Sequence, residues 1–193
     1  MISSLYNDAF FRGRAYLDTG CRSIASWLVG NLNFDQALDI GCGNAHLLAA
    51  LARSKKMVWG IEPYLESALP YIPPEIRHCI VSLDAATLIP EMYRSDLVIC
   101  TEVAEHLPPG SEAALVGNFV RLTGRWLYFS AAPPGQPGGV GHINERPHEF
   151  WVEVIKCAGF AFDGKRTAEI RSYLDANLKD MRHLVKNAMI FYH

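Results

Sequence analysis

The feature that most constrains the fold is a short apolar strand that runs straight into a glycine turn, Leu38-Asp39-Ile40-Gly41-Cys42-Gly43-Asn44-Ala45. Glycines there permit a tight reversal and let a ligand approach the backbone closely. The next stretch, Asn44 to Ser54, reads as a helix with Asn44 as its cap. Its first N–H groups and the positive end of its dipole would then face the turn. A strand, a glycine turn and a helix in that order open a β-α unit, which belongs in a parallel sheet.

The rest of the chain continues the alternation. Gln36 to Ile40, Met57 to Ile61, Ile76 to Val81, Asp96 to Cys100 and Trp126 to Ala131 read as strands one to five. Asp96 to Cys100 is continuously apolar after its first residue, as suits a sheet covered on both faces. Helices are expected at Leu65 to Leu69, Glu112 to Thr123 and Pro147 to Ala158, the last with Pro147 in its first turn. Phe160 to Phe162 looks like the start of strand six. Val185 to Tyr192 reads as a last strand paired antiparallel with it. Thr167 to His183 is polar and amphipathic and carries no firm assignment. The first 35 residues read as helical, with a packed face from Ser23 to Val29 before the Gly30-Asn31 break. The expected fold is therefore a single doubly wound, Rossmann-like α/β domain over residues 1–193. Its sheet has seven mostly parallel strands with an antiparallel last strand.

Composition narrows the function classes. A chain of 193 residues with net charge −2 has an ordinary globular balance and no broad basic footprint for nucleic acid. No apolar stretch is long enough to span a bilayer, and the N-terminus does not read as a secretory signal, so a cytoplasmic protein is expected. Five scattered cysteines, none in C-x-x-C spacing, read as reduced, partly buried thiols. Oligomeric state is not legible.

Which ligand would the turn take? The third glycine of G-x-G-x-x-G is replaced by His46, and Asp39 lies two residues before the first glycine. An acid there is a poor neighbour for a pyrophosphate and a good one for an ammonium group. Glu62, at the tip of the second strand, can accept both hydroxyls of a ribose. Asp84 could accept an adenine amino group or merely cap the next turn.

These pieces resemble class I S-adenosylmethionine (SAM)-dependent methyltransferases. The resemblance rests on Asp39-Ile40-Gly41-Cys42-Gly43, Glu62, and the run from Asp96 to Leu107 that contains Glu102, Glu105 and His106. A narrower similarity to small bacterial methyltransferase-domain proteins adds Phe129 to Gln136, Gly141 to Glu145 and Glu149-Phe150-Trp151. Asn44-Ala45 departs from the threonine or serine followed by glycine that many members carry. The resemblance implies that Asp39 and the backbone of Gly41, Cys42 and Gly43 hold the methionine end of SAM. It places Glu62 on the ribose, Leu83 and Asp84 on the adenine edge, and Glu102 beside the methionine side.

Candidate catalytic groups follow from position. Glu102, Glu105 and His106 would share one face if the chain turns helical after strand four. His106 would serve as a general base, or it and Glu105 would hydrogen-bond to anchor the loop. Within the long loop from Ala132 to Arg146, the glycine-rich stretch Gly138 to Glu145 reads as a lid in which His142 and Asn144 orient or deprotonate the acceptor, or else as a surface loop whose polar residues cap the Pro147 helix. E-x-x-E-H is also similar to the divalent-cation motif of small-RNA 2′-O-methyltransferases and some quinone O-methyltransferases, with His142 or His148 as a further ligand. A metal is the less favoured reading. Arg22 is expected at the surface, and Trp126, Tyr128, Phe150 and Trp151 in the packing. The leading expectation is methyl transfer from SAM to a small-molecule hydroxyl, carboxyl or amine, with S-adenosylhomocysteine (SAH) as product. The alternatives are a cation-dependent RNA 2′-O-methyltransferase and a non-catalytic SAM-binding protein.

Overall fold

The computed structural model describes residues 5–179 and 181–193. Residues 1–4 of the expected N-terminal segment and Asp180 of the polar stretch lie outside them. The sheet has seven strands: β1 (Gln36–Ile40), β2 (Met57–Ile61), β3 (Ile80–Val81), β4 (Ser95–Thr101), β5 (Thr123–Ser130), β6 (Ala161–Phe162) and β7 (Met189–Tyr192). Their order is β3-β2-β1-β4-β5-β7-β6. The first five are parallel, while β7 runs antiparallel to both β5 and β6. The doubly wound sheet with an antiparallel end is as the strand pattern predicts. The last strand is inserted between β5 and β6 rather than added at the edge.

Pleating explains why the central strands are apolar throughout. Along β4, Leu97 and Ile99 join one buried cluster, and Val98 and Cys100 join the other. Along β5, Trp126 and Tyr128 go one way, Leu127 and Phe129 the other. Helices α2 (Asp18–Asn31), α3 (His46–Arg53) and α7 (Gly164–Asn177) cover the first face through Leu28, Leu48 and Leu174. Helices α5 (Glu112–Leu122) and α6 (His148–Cys157) cover the second through Phe119 and Trp151. Tyr128, Trp126 and Trp151 are buried as expected, and Phe150 packs at the margin. The remaining helices are short: α1 (Asp8–Arg12), α4 (Leu65–Ala68) and α8 (Arg182–Asn187).

Of the boundaries that differ from expectation, four have a clear local reason. Pro74 opens a 3₁₀ stretch over Pro74–Cys79, leaving only Ile80 and Val81 to pair with Gly60 and Ile61. Helix α3 starts at His46 because Ala45 sits in the left-handed region (φ 54°). Asn44 does not cap that helix; its side-chain amide donates to the Phe11 carbonyl at 2.9 Å. Pro147 stands before α6 with ψ 151°, outside the first turn. Val185 is helical, not strand: α8 runs to Asn187 and buries Leu184 and Val185 in the first core before β7 begins. Here tertiary burial overrides β propensity.

Candidate active site

The glycine turn is tied down by strand two. The N–H groups of Gly41 and Cys42 both donate to the Ile61 carbonyl, at 2.8 and 3.0 Å. Gly41 has φ 77°, and a Cβ there would meet Val103 Cγ2 at 2.4 Å, so only glycine fits. The turn opens into a cavity of about 600 Å³, over the carboxyl ends of β1, β2 and β4. That is the point where strand order reverses, between β1 and β4.

Two carboxylates stand on either side of the turn. Asp39 is 3% exposed, lines the cavity and leaves Oδ1 without a hydrogen bond. Burial, reinforced by the Glu62 charge, pushes its pKa up to about 8. Glu62 accepts from Gly43 N at 2.9 Å and from Tyr64 N at 3.0 Å, which fixes its carboxylate at the cavity wall. Burial raises its pKa, and those two hydrogen bonds oppose the rise. Asp84 also lines the cavity, but its Oδ1 accepts from Ala86 N at 2.8 Å, so it caps its own turn. Leu83 packs against the second core cluster; Ala85, two residues on, is the one that lines the cavity.

Past β4 the chain does not make the single helical face expected of Glu102, Glu105 and His106. Glu102 adopts φ 52°, and a 3₁₀ turn over Ala104–His106 follows. Glu102 and His106 face the cavity, while Glu105 turns beneath it and is fully buried. The Glu102 carboxylate is held by Asn187 Nδ2 (3.0 and 3.1 Å) and by Gln136 Nε2 (3.2 Å). Asn187 in turn accepts a contact from His148 Nε2 at 3.2 Å, which takes His148 out of the candidate ligand set.

The loop after β5 arches over this region. Ile143 N and Asn144 N both donate to the Glu105 carbonyl, at 2.9 and 3.0 Å. His142 Nδ1 lies 2.8 Å from Glu145 Oε1, and His106 Nδ1 lies 3.2 Å from the Gly141 carbonyl. Both rings therefore have one nitrogen engaged, with Nε2 left over. His142 Nε2 is 3.9 Å from Glu105 Oε1, and neither Glu105 oxygen makes a well-formed hydrogen bond. Burial and the Glu102 charge raise the Glu105 pKa. Burial also pushes the His106 pKa down to about 4, despite the Gly141 contact, so this imidazole is neutral near pH 7. Glu105, His106 and His142 each offer one ligand atom, all within 4.8 Å of one another, a set able to hold a divalent metal.

Several cavity residues carry no sequence signal. The segment before α2 folds across the opening, and Tyr6, Phe10, Arg14 and Leu17 line it. Tyr6 stacks on Tyr64 (centroids 4.5 Å apart, 16°) and meets the His106 ring edge-on at 5.9 Å. His183, from α8, completes the far wall. Arg22 pairs with Asp18 at 3.0 Å on the surface, as expected. All five cysteines are free; Cys42 lines the cavity with its pKa raised by burial, while Cys157 is exposed at the end of α6. Among the described residues no helix is long and apolar enough to cross a membrane.

No family model matches the chain. The ubiquinone biosynthesis O-methyltransferase of Paracidovorax citrulli (strain AAC00-1) is 35% identical over 105 residues, covering 49% of this chain and 42% of the relative. The chain spans less than half the length of the curated relatives it matches. Among solved structures, magnesium protoporphyrin IX methyltransferase from Synechocystis PCC 6803 with bound SAM superposes with a TM-score of 0.62 at 20% identity, over 91% of this chain and 77% of that one. A SAM-dependent methyltransferase from Archaeoglobus fulgidus gives 0.59 at 17% identity, over 88% and 93%. These structures share the fold.

Proposed function

We propose, from the premise that this chain has the class I methyltransferase fold, that it transfers a methyl group from SAM to a small-molecule acceptor. The observation that carries the reading is the pairing of the glycine turn with two buried carboxylates across one cavity. Asp39 has an oxygen to spare where a cationic amino-acid tail would lie. The Glu62 carboxylate is already oriented by two backbone N–H groups and keeps lone pairs for ribose hydroxyls. The residues therefore suit SAM: Asp39 and the Gly41–Gly43 backbone for the methionine tail, Glu62 for the sugar. Bound there, SAM supplies an electrophilic methyl on a sulfonium.

The protein's own part is to bind, orient and exclude water. Glu102, fixed by Asn187 and Gln136, lines the wall between the turn and the loop. His142, steadied by Glu145, is the group we assign to take the acceptor's proton. His106 is a poor proton acceptor with a pKa near 4 and instead pins the loop through Gly141. The name of the Paracidovorax relative favours an oxygen acceptor. Four acids and a single arginine among the cavity-lining residues speak against a nucleic-acid backbone there.

The test is calorimetry with SAH, followed by an acceptor screen with labelled SAM. Binding of SAH that weakens about ten-fold or more in Glu62→Ala is expected. Wild-type protein that takes up neither SAM nor SAH removes the reading.

The Glu105–His106–His142 cluster favours one variant of it, a cation-dependent transfer. Each histidine has its other nitrogen held by a carbonyl or carboxylate, as metal-bound imidazoles do. If a metal acts here, EDTA abolishes turnover and an added divalent cation restores it. Turnover indifferent to chelator leaves the metal-free reading.

A further inference from the structure

Arg14 is the single arginine or lysine among the described residues lining the cavity. Arg22 and Arg53, by contrast, each sit 3.0 Å from a carboxylate oxygen. Among the described residues the Arg14 side chain has no hydrogen bond and no ion pair; its close neighbour is the Phe10 ring, 3.9 Å from Cζ to centroid. Stacking on an aromatic face leaves the planar fork of N–H donors open at its edge. Removing a guanidinium from water without giving it an anion costs free energy, and burial accordingly lowers its pKa. Four acids line the same cavity without pairing with it.

Its neighbours say which part of the cavity it serves. Arg14 acts electrostatically on His106 and His183, and it feels Tyr6, Tyr16, Glu105 and Glu62. Asp39, beside the glycine turn, responds to burial and to Glu62 and not to Arg14. Phe10, on which Arg14 stacks, meets Tyr6 edge-on at 4.8 Å, and Tyr6 meets His106 at 5.9 Å, so the guanidinium stands on the side of the cavity bounded by His106 and α8, within electrostatic reach of Glu62.

We infer that Arg14 is the specificity residue for a carboxylate carried by the methyl acceptor. This deepens the methyltransferase reading and rests on it. The acceptor is then a small organic acid with two functions, an anionic anchor on Arg14 and a separate nucleophilic atom presented to the methyl group near His142. Arginine suits such an anchor because its fork can take a carboxylate with two parallel hydrogen bonds.

The experiment titrates benzoate, and separately benzamide of the same shape without the charge, into protein saturated with SAH. Wild type, Arg14→Met and Arg14→Lys are compared, with melting curves to check folding. Wild type is expected to bind benzoate about ten-fold or more tightly than benzamide. Arg14→Met should erase that preference, and Arg14→Lys should keep part of it, with SAH affinity little changed in both. Equal affinity of wild type for the two probes, or no binding of either, overturns the proposal. So does a preference that survives Arg14→Met. A comparable loss of SAH affinity in Arg14→Met also overturns it, because the donor's own carboxylate would then be the partner. Wild type that fails to bind SAH removes the donor reading itself, a result separable from the others.

Discussion

Asp39 shows how one side chain can trade stability for binding. Its folded pKa of about 8 lies far above the ordinary value near 4, because the carboxyl is buried and faces Glu62. The folded state thus holds this proton more tightly than the unfolded chain does. Between about pH 4 and pH 8 the unfolded form ionises first, so the empty protein loses stability as pH rises through that window. A cationic tail beside Asp39 reverses the preference and favours the carboxylate. SAH binding near pH 7 should therefore release a proton, seen as a calorimetric heat that varies with the ionisation enthalpy of the buffer. Affinity should climb with pH and level off above about 8. In Asp39→Asn the proton release should vanish and affinity should fall about ten-fold or more, while the empty variant melts higher than wild type at pH 8. Identical buffer dependence in both proteins would exclude Asp39 as the tail's partner.

At the scale of elements, the cavity depends on pieces that meet at Glu102. This residue leaves β4 in the left-handed region, a conformation that costs a non-glycine residue about 1–2 kcal/mol. Three elements converge on its carboxylate environment: the loop through Gln136, α8 through Asn187, and α6 through His148 bonded to Asn187. Gln136 Oε1 also accepts from Asn187 Nδ2 at 2.8 Å, which closes the network. Removing the buried amide in Asn187→Leu strands a carboxylate and should cost about 1–3 kcal/mol of stability in denaturant melts. Because Glu102 would then lose its fixed rotamer, turnover should drop more than SAH affinity. A variant that loses stability with turnover and affinity unchanged would make the network structural only. The same elements explain the misread stretch before β7. Val185 looks like a strand residue in sequence, yet α8 is what delivers His183 to the cavity and Asn187 to the Glu102 carboxylate.

For the molecule as a whole, the parts legible in sequence were those with local chemistry. Five parallel strands announce themselves by apolar runs, and the Gly41–Gly43 turn with Asp39 and Glu62 is written in consecutive or regularly spaced residues. Glu102, His106 and His142 were placed near the cavity by their position after strand ends. Glu105 was harder, since its three-residue spacing from Glu102 argued for a shared face only if the turn were an α-helix, and it is 3₁₀. Leu83 does not line the cavity, whereas Asp84 and Ala85 do: a loop residue's direction depends on its turn, and Asp84 sets that turn by accepting from Ala86. Tyr6, Arg14, Tyr64, His183 and Asn187 were not legible. They come from short helices and irregular segments whose position is decided by packing across the fold, and no periodicity marks them.

The distribution of thiols has a practical side. Cys42 sits in the glycine turn, and its raised pKa keeps it in the sluggish, protonated form. Cys100 is shut inside the sheet, whereas Cys157 stands in the open at the far end of α6 and touches none of the cavity. A maleimide dye offered at stoichiometric amount would settle on Cys157, giving a reporter handle that leaves the pocket's own chemistry untouched.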